Sequence, residues 1–401
     1  MTTSSTPLPQ LPQGFRAAGV AAHIKKTGQP DLALIVSERP CAAAALFTTN
    51  RVKAAPVLYD QALLARNPHS VRAVVINSGC ANACTGEQGL SNCAATAQAV
   101  AGTLSGVQLD EVFVMSTGVI GVHLPMDKLR AGIPQAAQAL SADGLAHAAH
   151  AIMTTDTQPK MAMAQGAGAR PWRIAGIAKG SGMIHPNMAT MLSVVMTDAY
   201  MDVDTLQEAL RQAADHSFHR ISVDGDTSTN DTLLVLANGA SGAAVSTAAE
   251  VQAFSAALTE VCVSLARQMA RDGEGATKLI TLDITGAPSE AVAAAVGRTI
   301  AKSPLVKTAF YGEDANWGRI IAAAGYSGEE VDPQRMSLWF GPVLVFEHGM
   351  PTQYSEEEAT RAIQGREVSV RLDLGQGTAS ATIWTCDLSH DYVTINGKYR
   401  T

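Results

Sequence analysis

The chain has 401 residues, and 36 acidic against 29 basic side chains give a formal charge of −7. Charged residues make up only 16%, hydrophobic ones 47% and aromatics 5%, so small residues, the 34 glycines among them, must fill much of the interior. The acidic balance and the lack of any Lys/Arg block exclude a nucleic-acid or anionic-membrane surface as the main function, and no apolar run reaches the roughly 18–20 residues that span a bilayer.

The opening stretch, Met1 to Gly14, is rich in Thr, Ser, Pro and Gln. It has no basic segment ahead of an apolar one, and reads as a short lead-in rather than a signal peptide. Six sparse cysteines suit a reducing cytoplasm. Cys80, Cys84 and Cys93 cluster, but their spacing and the missing fourth ligand favour small buried side chains over a metal site. Ser116-Thr117-Gly118 reads as a turn ending a strand, and Gly118 suits close backbone approach. His147 and His150 sit three apart on an expected helix without a third ligand, as surface residues. Met191 to Met196 is an apolar run expected to be a buried strand.

Three helix starts are then predicted from capping-box spacing: Asp204 with Gln207, Thr247 with Glu250, and Ser355 with Glu358. The second helix should stop at Gly273. Ile280, Leu282 and Ile284, and later Val368, Val370, Leu372 and Leu374, alternate with polar residues and predict half-buried antiparallel strands with helices on one face. The class is therefore α/β or α+β. Walker A, G-x-G-x-x-G, H-E-x-x-H and G-x-S-x-G sequences are all absent.

The unusual stretch is KGSGMIHPNMATML, Lys179 to Leu192. A threonine after a small residue can attack the preceding carbonyl when a strained loop presents it. Cleavage then frees a threonine whose own α-amine, with a pKa of about 7.7–8, serves as general base. The bland alternative is a loop entering a buried strand, with Lys179 solvated.

This block closely resembles the autocleavage segment of the ornithine acetyltransferase family, the glutamate N-acetyltransferases of arginine biosynthesis. The likeness continues through Phe47-Thr48-Thr49-Asn50, Asn77-Ser78-Gly79, Ser116 to Gly121 and Thr154-Thr155-Asp156-Thr157. Val223 to Thr232, Asp272 to Lys278, Asn316-Trp317-Gly318-Arg319 and the terminal Asn396 to Thr401 complete it. The resemblance implies a layered αββα sandwich with mixed and antiparallel strands. It implies self-cleavage between Ala189 and Thr190 into an N-terminal chain, 1–189, and a C-terminal chain, 190–401, which assemble as a heterotetramer. Thr190 becomes the nucleophile that takes acetyl from N2-acetylornithine and passes it to glutamate. Thr117 and Gly118 are the implied oxyanion donors, and Thr154, Lys179, Thr190, Glu274, Asn396 and Thr401 the implied substrate-binding residues. No metal or cofactor is implied, acetyl-CoA is left open as a second donor, and the location is cytoplasmic. One departure stands out: Cys80 replaces the usual Asn in Asn-Ser-Gly-Asn-Ala-Asn, which removes an amide from that loop. The rival readings are a related self-cleaving amidase or aminopeptidase that passes the acyl group to water, and an uncleaved metabolite-binding protein.

Overall fold

A computed structural model of the chain describes residues 9–166, 170–185 and 191–398. The chain divides into two units: Met1–Gly180 with Asn187–Phe218 and Thr227–Leu265, and Ser181–Pro186 with His219–Asp226 and Ala266–Thr401. A cut after Ala189 would make a different division, because each unit draws on chain from both sides of it.

The first unit contains β1 (Phe15–Val20), β2 (Leu32–Phe47), α1 (Ala55–Arg66), β3 (Val71–Cys80), α2 (Gly86–Thr103), β4 (Val112–Val119), α3 (Met126–Gln138) and α4 (Leu145–Ala151). It continues with β5 (Lys160–Gly166), β6 (Trp172–Lys179), β7 (Leu192–Thr197) and α5 (Val203–Asp215). After β8 (Ile221–Ser222), which belongs to the second unit, come β9 (Thr232–Ala237) and the start of α6 (Ala248–Arg271). The sheet order is β4-β3-β2-β9-β7-β6-β5, with β1 paired to β2. The long strand β2 meets β3 along its first part and β9 along its last, from Ala42 to Phe47.

Alternation along these strands sends side chains to two buried faces. Ile35, Val74, Ile76, Phe113 and Met115 pack with Leu145, Ala148 and Ile152 of the α4 segment. Leu34, Val75, Val112 and Val114 pack with Cys93, Ala97 and Val100 of α2 and Leu129 and Ile133 of α3. A sheet covered on both sides needs near-continuous apolar strands, and the buried Leu192–Thr197 run supplies one, as expected. Small side chains let helices approach closely, as the glycine and alanine content requires.

The second unit adds β10 (Leu279–Ala287), α7 (Glu290–Lys302), α8 (Pro304–Tyr311), α9 (Trp317–Gly325), β11 (Ser337–Phe340), β12 (Val343–Glu347) and β13 (Met350–Pro351). It ends with α10 (Glu356–Ile363), β14 (Glu367–Asp373), β15 (Ala379–Cys386) and α11 (His390–Gly397). Its sheet order is β13-β12-β11-β14-β10-β15-β8. Val368, Val370 and Leu372 are buried while Glu367, Ser369 and Arg371 are exposed, so one face alone meets the helices. The expected antiparallel pairing holds for β10 with β15 and β11 with β14. It fails for β10 with β14, which run parallel with Ile280 beside Val368. Alternation records which face is covered, not strand direction, so the sequence could not distinguish the two.

The expected mixed α/β class is what the described residues form: two sheets and eleven α-helices. The Thr247–Glu250 capping box is present, with Thr247 Oγ1 accepting the Glu250 N–H and Glu250 Oε2 accepting that of Thr247. Ser355 caps α10 through the Glu358 N–H. The first predicted start is displaced by two residues: Asp202 caps α5 by accepting the Thr205 N–H, and Asp204 lies in the first turn, where a carboxylate favours the helix dipole. Although the sequence shows no bilayer-length apolar run, α6 is long and apolar enough to meet that criterion by length and composition. One face of it, with Phe254, Leu258, Val261 and Cys262, is buried, while most of the apolar stretch is not.

Candidate active site

At the ends of the parallel strands β3 and β4, Ser78 lies beside Thr117 and Gly79 beside Gly118, with a bulge at Cys80. Gly118 has φ +132°, and a Cβ there would fall 2.3 Å from the Gly79 carbonyl carbon and 2.6 Å from the Cys80 nitrogen. Only glycine fits, so close approach is the reason for this residue. Around it, Ser116 Oγ donates to Asn77 Oδ1 at 2.6 Å and Asn77 Nδ2 donates to the Cys80 carbonyl at 2.8 Å. The Cys80 thiol donates to the Val122 carbonyl at 3.2 Å, so the departure from the family pattern leaves a hydrogen bond in place. Burial raises the pKa of that thiol. Cys80 and Cys93 are the small buried side chains expected, whereas Cys84 is exposed. His147 and His150 are exposed on α4.

Lys179, the last residue of β6, is buried rather than solvated. Its Nζ donates to Thr154 Oγ1 at 2.7 Å and to Thr117 Oγ1 at 3.2 Å. A hydroxyl that accepts from an ammonium keeps its own proton for another acceptor, and the cation polarises that O–H. Thr117 is thereby prepared to donate.

Asp156 organises the cation. Its carboxylate accepts from Lys160 Nζ at 2.7 Å, the Thr154 N–H at 2.9 Å and the Gly180 N–H at 2.6 Å, and lies 4.0 Å from Lys179 Nζ. Burial alone would raise its pKa, but the Lys179 and Lys160 ammoniums and these hydrogen bonds outweigh it and hold the group well below the usual carboxylate range. Lys25 donates to the Met153 carbonyl at 2.7 Å, and burial is the main cause that lowers its pKa. Lysines outnumber ionised carboxylates in this corner, which suits a substrate carboxylate or a developing oxyanion.

Ala189 and Thr190 lie outside the described residues, as does Thr401. The description resumes at Met191, whose N–H is donated to Asp231 Oδ1 at 2.8 Å. Burial raises the Asp231 carboxyl well above the ordinary range, against the pull of the Met191 N–H, the Ser228 hydroxyl and the Lys179 ammonium.

In the second unit, Glu274 is buried and its Oε2 accepts from Asn396 Nδ2 of α11 at 2.7 Å. Gly182 lies against this carboxylate, since a Cβ there would sit 2.3 Å from Glu274 Cδ. The following loop is fixed by Asp387, which accepts the N–H groups of Thr277 and Lys278 at 2.8 and 2.9 Å. His185 is held neutral, its pKa lowered to about 4 by burial and then by the Lys302 and Arg298 charges. The structure thus brings together Thr117, Thr154 and Lys179 in one unit, and Glu274 with Asn396 in the other.

A model of the ArgJ family matches residues 16–401. The chain belongs to the ArgJ family. The arginine biosynthesis bifunctional protein ArgJ of Symbiobacterium thermophilum is 52% identical over 395 residues, 97% of this chain and 98% of that protein. Its namesake from Thermotoga neapolitana is 48% identical over 402 residues, 98% of this chain and 100% of that one. A solved structure of the arginine biosynthesis bifunctional protein ArgJ of Bacillus halodurans is 46% identical with a TM-score of 0.51, and its match covers 52% of this chain and 99% of the solved one. The family resemblance read from the motifs is therefore correct.

Sequence reasoning passed over four groups that this ArgJ-family chain places at the site: Lys25, Asp156, Lys160 and Asp231. Asp156 and Asp231 sit inside quoted motifs, yet nothing in their spacing announces burial. The one usable signal is Asp231, a carboxylate directly before the apolar strand β9.

Proposed function

We propose that the chain transfers acetyl from N2-acetylornithine to glutamate, as an ornithine acetyltransferase of arginine biosynthesis, through an acetyl ester on Thr190. The carrying observation is the Lys179 ammonium shared by the Thr117 and Thr154 hydroxyls beside the close-packed Gly118. The substrate amide carbonyl would lie against Thr117 Oγ1 and the Gly118 N–H. As Thr190 attacks, the carbonyl oxygen becomes an oxyanion, and each donor lowers its energy by about 3–4 kcal/mol. The Thr190 amine takes the hydroxyl proton and returns it to the departing ornithine nitrogen. Glutamate then attacks the ester and carries the acetyl away. Glu274, oriented by Asn396, pairs with the ornithine side-chain ammonium, and Lys179 meets a carboxylate or steadies the developing charge. Thr401 completes the substrate end.

In this reading the chain first cuts itself between Ala189 and Thr190, leaving 189 and 212 of its 401 residues. The Bacillus halodurans match supports it, because nearly all of that solved chain corresponds to about half of this one. The cleaved chains form a heterotetramer in the cytoplasm and need no metal or cofactor. Acetyl-CoA serves as a second donor if glutamate is acetylated from it without acetylornithine. Full-length likeness to arginine-biosynthetic relatives favours transfer to glutamate over hydrolysis.

The test is incubation with acetylornithine alone. Ornithine should be released and the Thr190 fragment should become one acetyl group heavier in denaturing mass spectrometry, with glutamate then removing that mass. Thr190→Ala should stay uncut and inactive. Intersecting double-reciprocal lines, with no ornithine released before glutamate is added, would instead mean direct transfer in a ternary complex.

A further inference from the structure

Two consecutive side chains hold the peptides next to the oxyanion donor and the nucleophile. Asn230 Nδ2 donates to the carbonyl of Ser116 at 2.8 Å, the peptide that leads into Thr117, and to the Ala81 carbonyl at 2.7 Å. Thr229 Oγ1 donates to Asn230 Oδ1 at 2.6 Å, which fixes the amide in that orientation. The next residue, Asp231, accepts through Oδ1 the N–H of Met191, which is the nitrogen of the Thr190–Met191 peptide bond. Its own backbone is anchored as well: the Thr48 N–H donates to the Asp231 carbonyl at 3.0 Å, and the Thr232 N–H donates to the Met191 carbonyl at 3.1 Å. Both side chains are buried, at 6% and 0% exposure.

We infer that Asn230 and Asp231 form a positioning bracket, in which one side chain fixes the Ser116–Thr117 peptide and the other fixes the Thr190–Met191 peptide, so that the distance from oxyanion donor to nucleophile is set by two adjacent residues. The bracket rests on the proposed role of Thr190. Asp231 acts in it as a neutral acceptor. Its Oδ2 has no hydrogen-bond partner among the described residues, and a carboxylate so sparsely paired is costly to bury. The upward displacement of the Asp231 pKa by burial agrees.

The test compares Asp231→Ala, Asp231→Asn and Asn230→Ala in the full-length chain. Asp231→Ala and Asn230→Ala should slow self-cleavage on denaturing gels and lower the kcat of the cleaved enzyme by about 10- to 100-fold, with KM for acetylornithine nearly unchanged, because small misplacements of reacting groups act on rate. Asp231→Asn keeps an oxygen acceptor without a charge and should restore most of both activities. Asparagine behaving as poorly as alanine would overturn the neutral-acceptor role. Wild-type cleavage and kcat in the alanine variants would overturn the bracket. Should an alanine chain fail to fold, Asp231→Asn decides alone: a pH profile of cleavage matching wild type supports the inference, and lost cleavage in a folded chain refutes it. Thr190→Ala, run alongside, separates the two levels. Activity persisting there removes the nucleophile reading and the bracket with it, whereas an inactive Thr190→Ala with a normal Asp231→Ala removes the bracket alone.

Discussion

Asp156→Asn tests the electrostatics of the site most directly. The carboxylate is fully buried and faces two ammoniums, Lys160 at 2.7 Å and Lys179 at 4.0 Å. Asparagine is nearly isosteric and can still accept at one oxygen, but it removes the negative charge from between two buried cations. Breaking a buried pair by removing one partner costs about 3–5 kcal/mol, and that is the expected loss of stability near neutral pH. Acid dependence gives a second check. The folded-state pKa of Asp156 lies below its unfolded value of about 3.9, so its contribution is present above that value and is lost as pH falls through the folded one. The urea midpoint of the variant should therefore lie below that of wild type at neutrality, and the gap should narrow in acid. A loss under about 1 kcal/mol, within the range of surface pairs, would show that the ion pairs do not support this corner. A gap that stays constant into acid would assign the loss to shape and hydrogen bonding instead of charge.

Three further outcomes are expected. Thr117→Ala should lower kcat by about 10²–10³ while KM for acetylornithine changes little, measured by steady-state kinetics; an unchanged kcat would place the oxyanion donor elsewhere. Gly118→Ala should destabilise the chain by about 3 kcal/mol or more, since its Cβ would meet the Gly79 backbone at 2.3 Å in a left-handed conformation, and a normal unfolding midpoint would contradict that geometry. Gly182→Ala should displace the Glu274 carboxylate and raise KM for acetylornithine about 10-fold or more at unchanged stability; an unaltered KM would detach Glu274 from substrate binding.

Local features were the most legible in the sequence. The boxes at Thr247 and Ser355 each depend on atoms within one helical turn, so spacing alone finds them. The Asp204 start was misplaced because Asp202, two residues earlier, offers the same chemistry. The parallel pairing of β10 with β14 stayed hidden because the alternation of Val368, Val370 and Leu372 is the same in either direction. Thr117 and Lys179 in the first unit, and Glu274 in the second, were reached through motif resemblance, not through their physics. Lys179 had looked solvated when read as a loop lysine, and it is buried among hydroxyls. Asp156 becomes visible only when distant segments meet, because burial and counter-charge are properties of the fold, and Asp231 is marked locally only by its place directly before β9.

The order of strands in the first sheet bears on when the proposed cut could occur. β7 and β9, which follow Thr190, are inserted between β2 and β6, which precede it. Six residues of β7 pair with β6 on one flank, and six of β9 pair with β2 on the other. A polypeptide ending at Ala189 would have a gap in the middle of its sheet, and one beginning at Thr190 would have two strands with nothing on either side. Neither half carries enough of the first sheet to build it alone, although all strands of the second lie after residue 190. If the chain is cut as proposed, the first sheet must assemble before the cut, which would leave a seam through an already finished sheet. A protein cut there would keep a first sheet that its two pieces, made separately, would have no ready means to find.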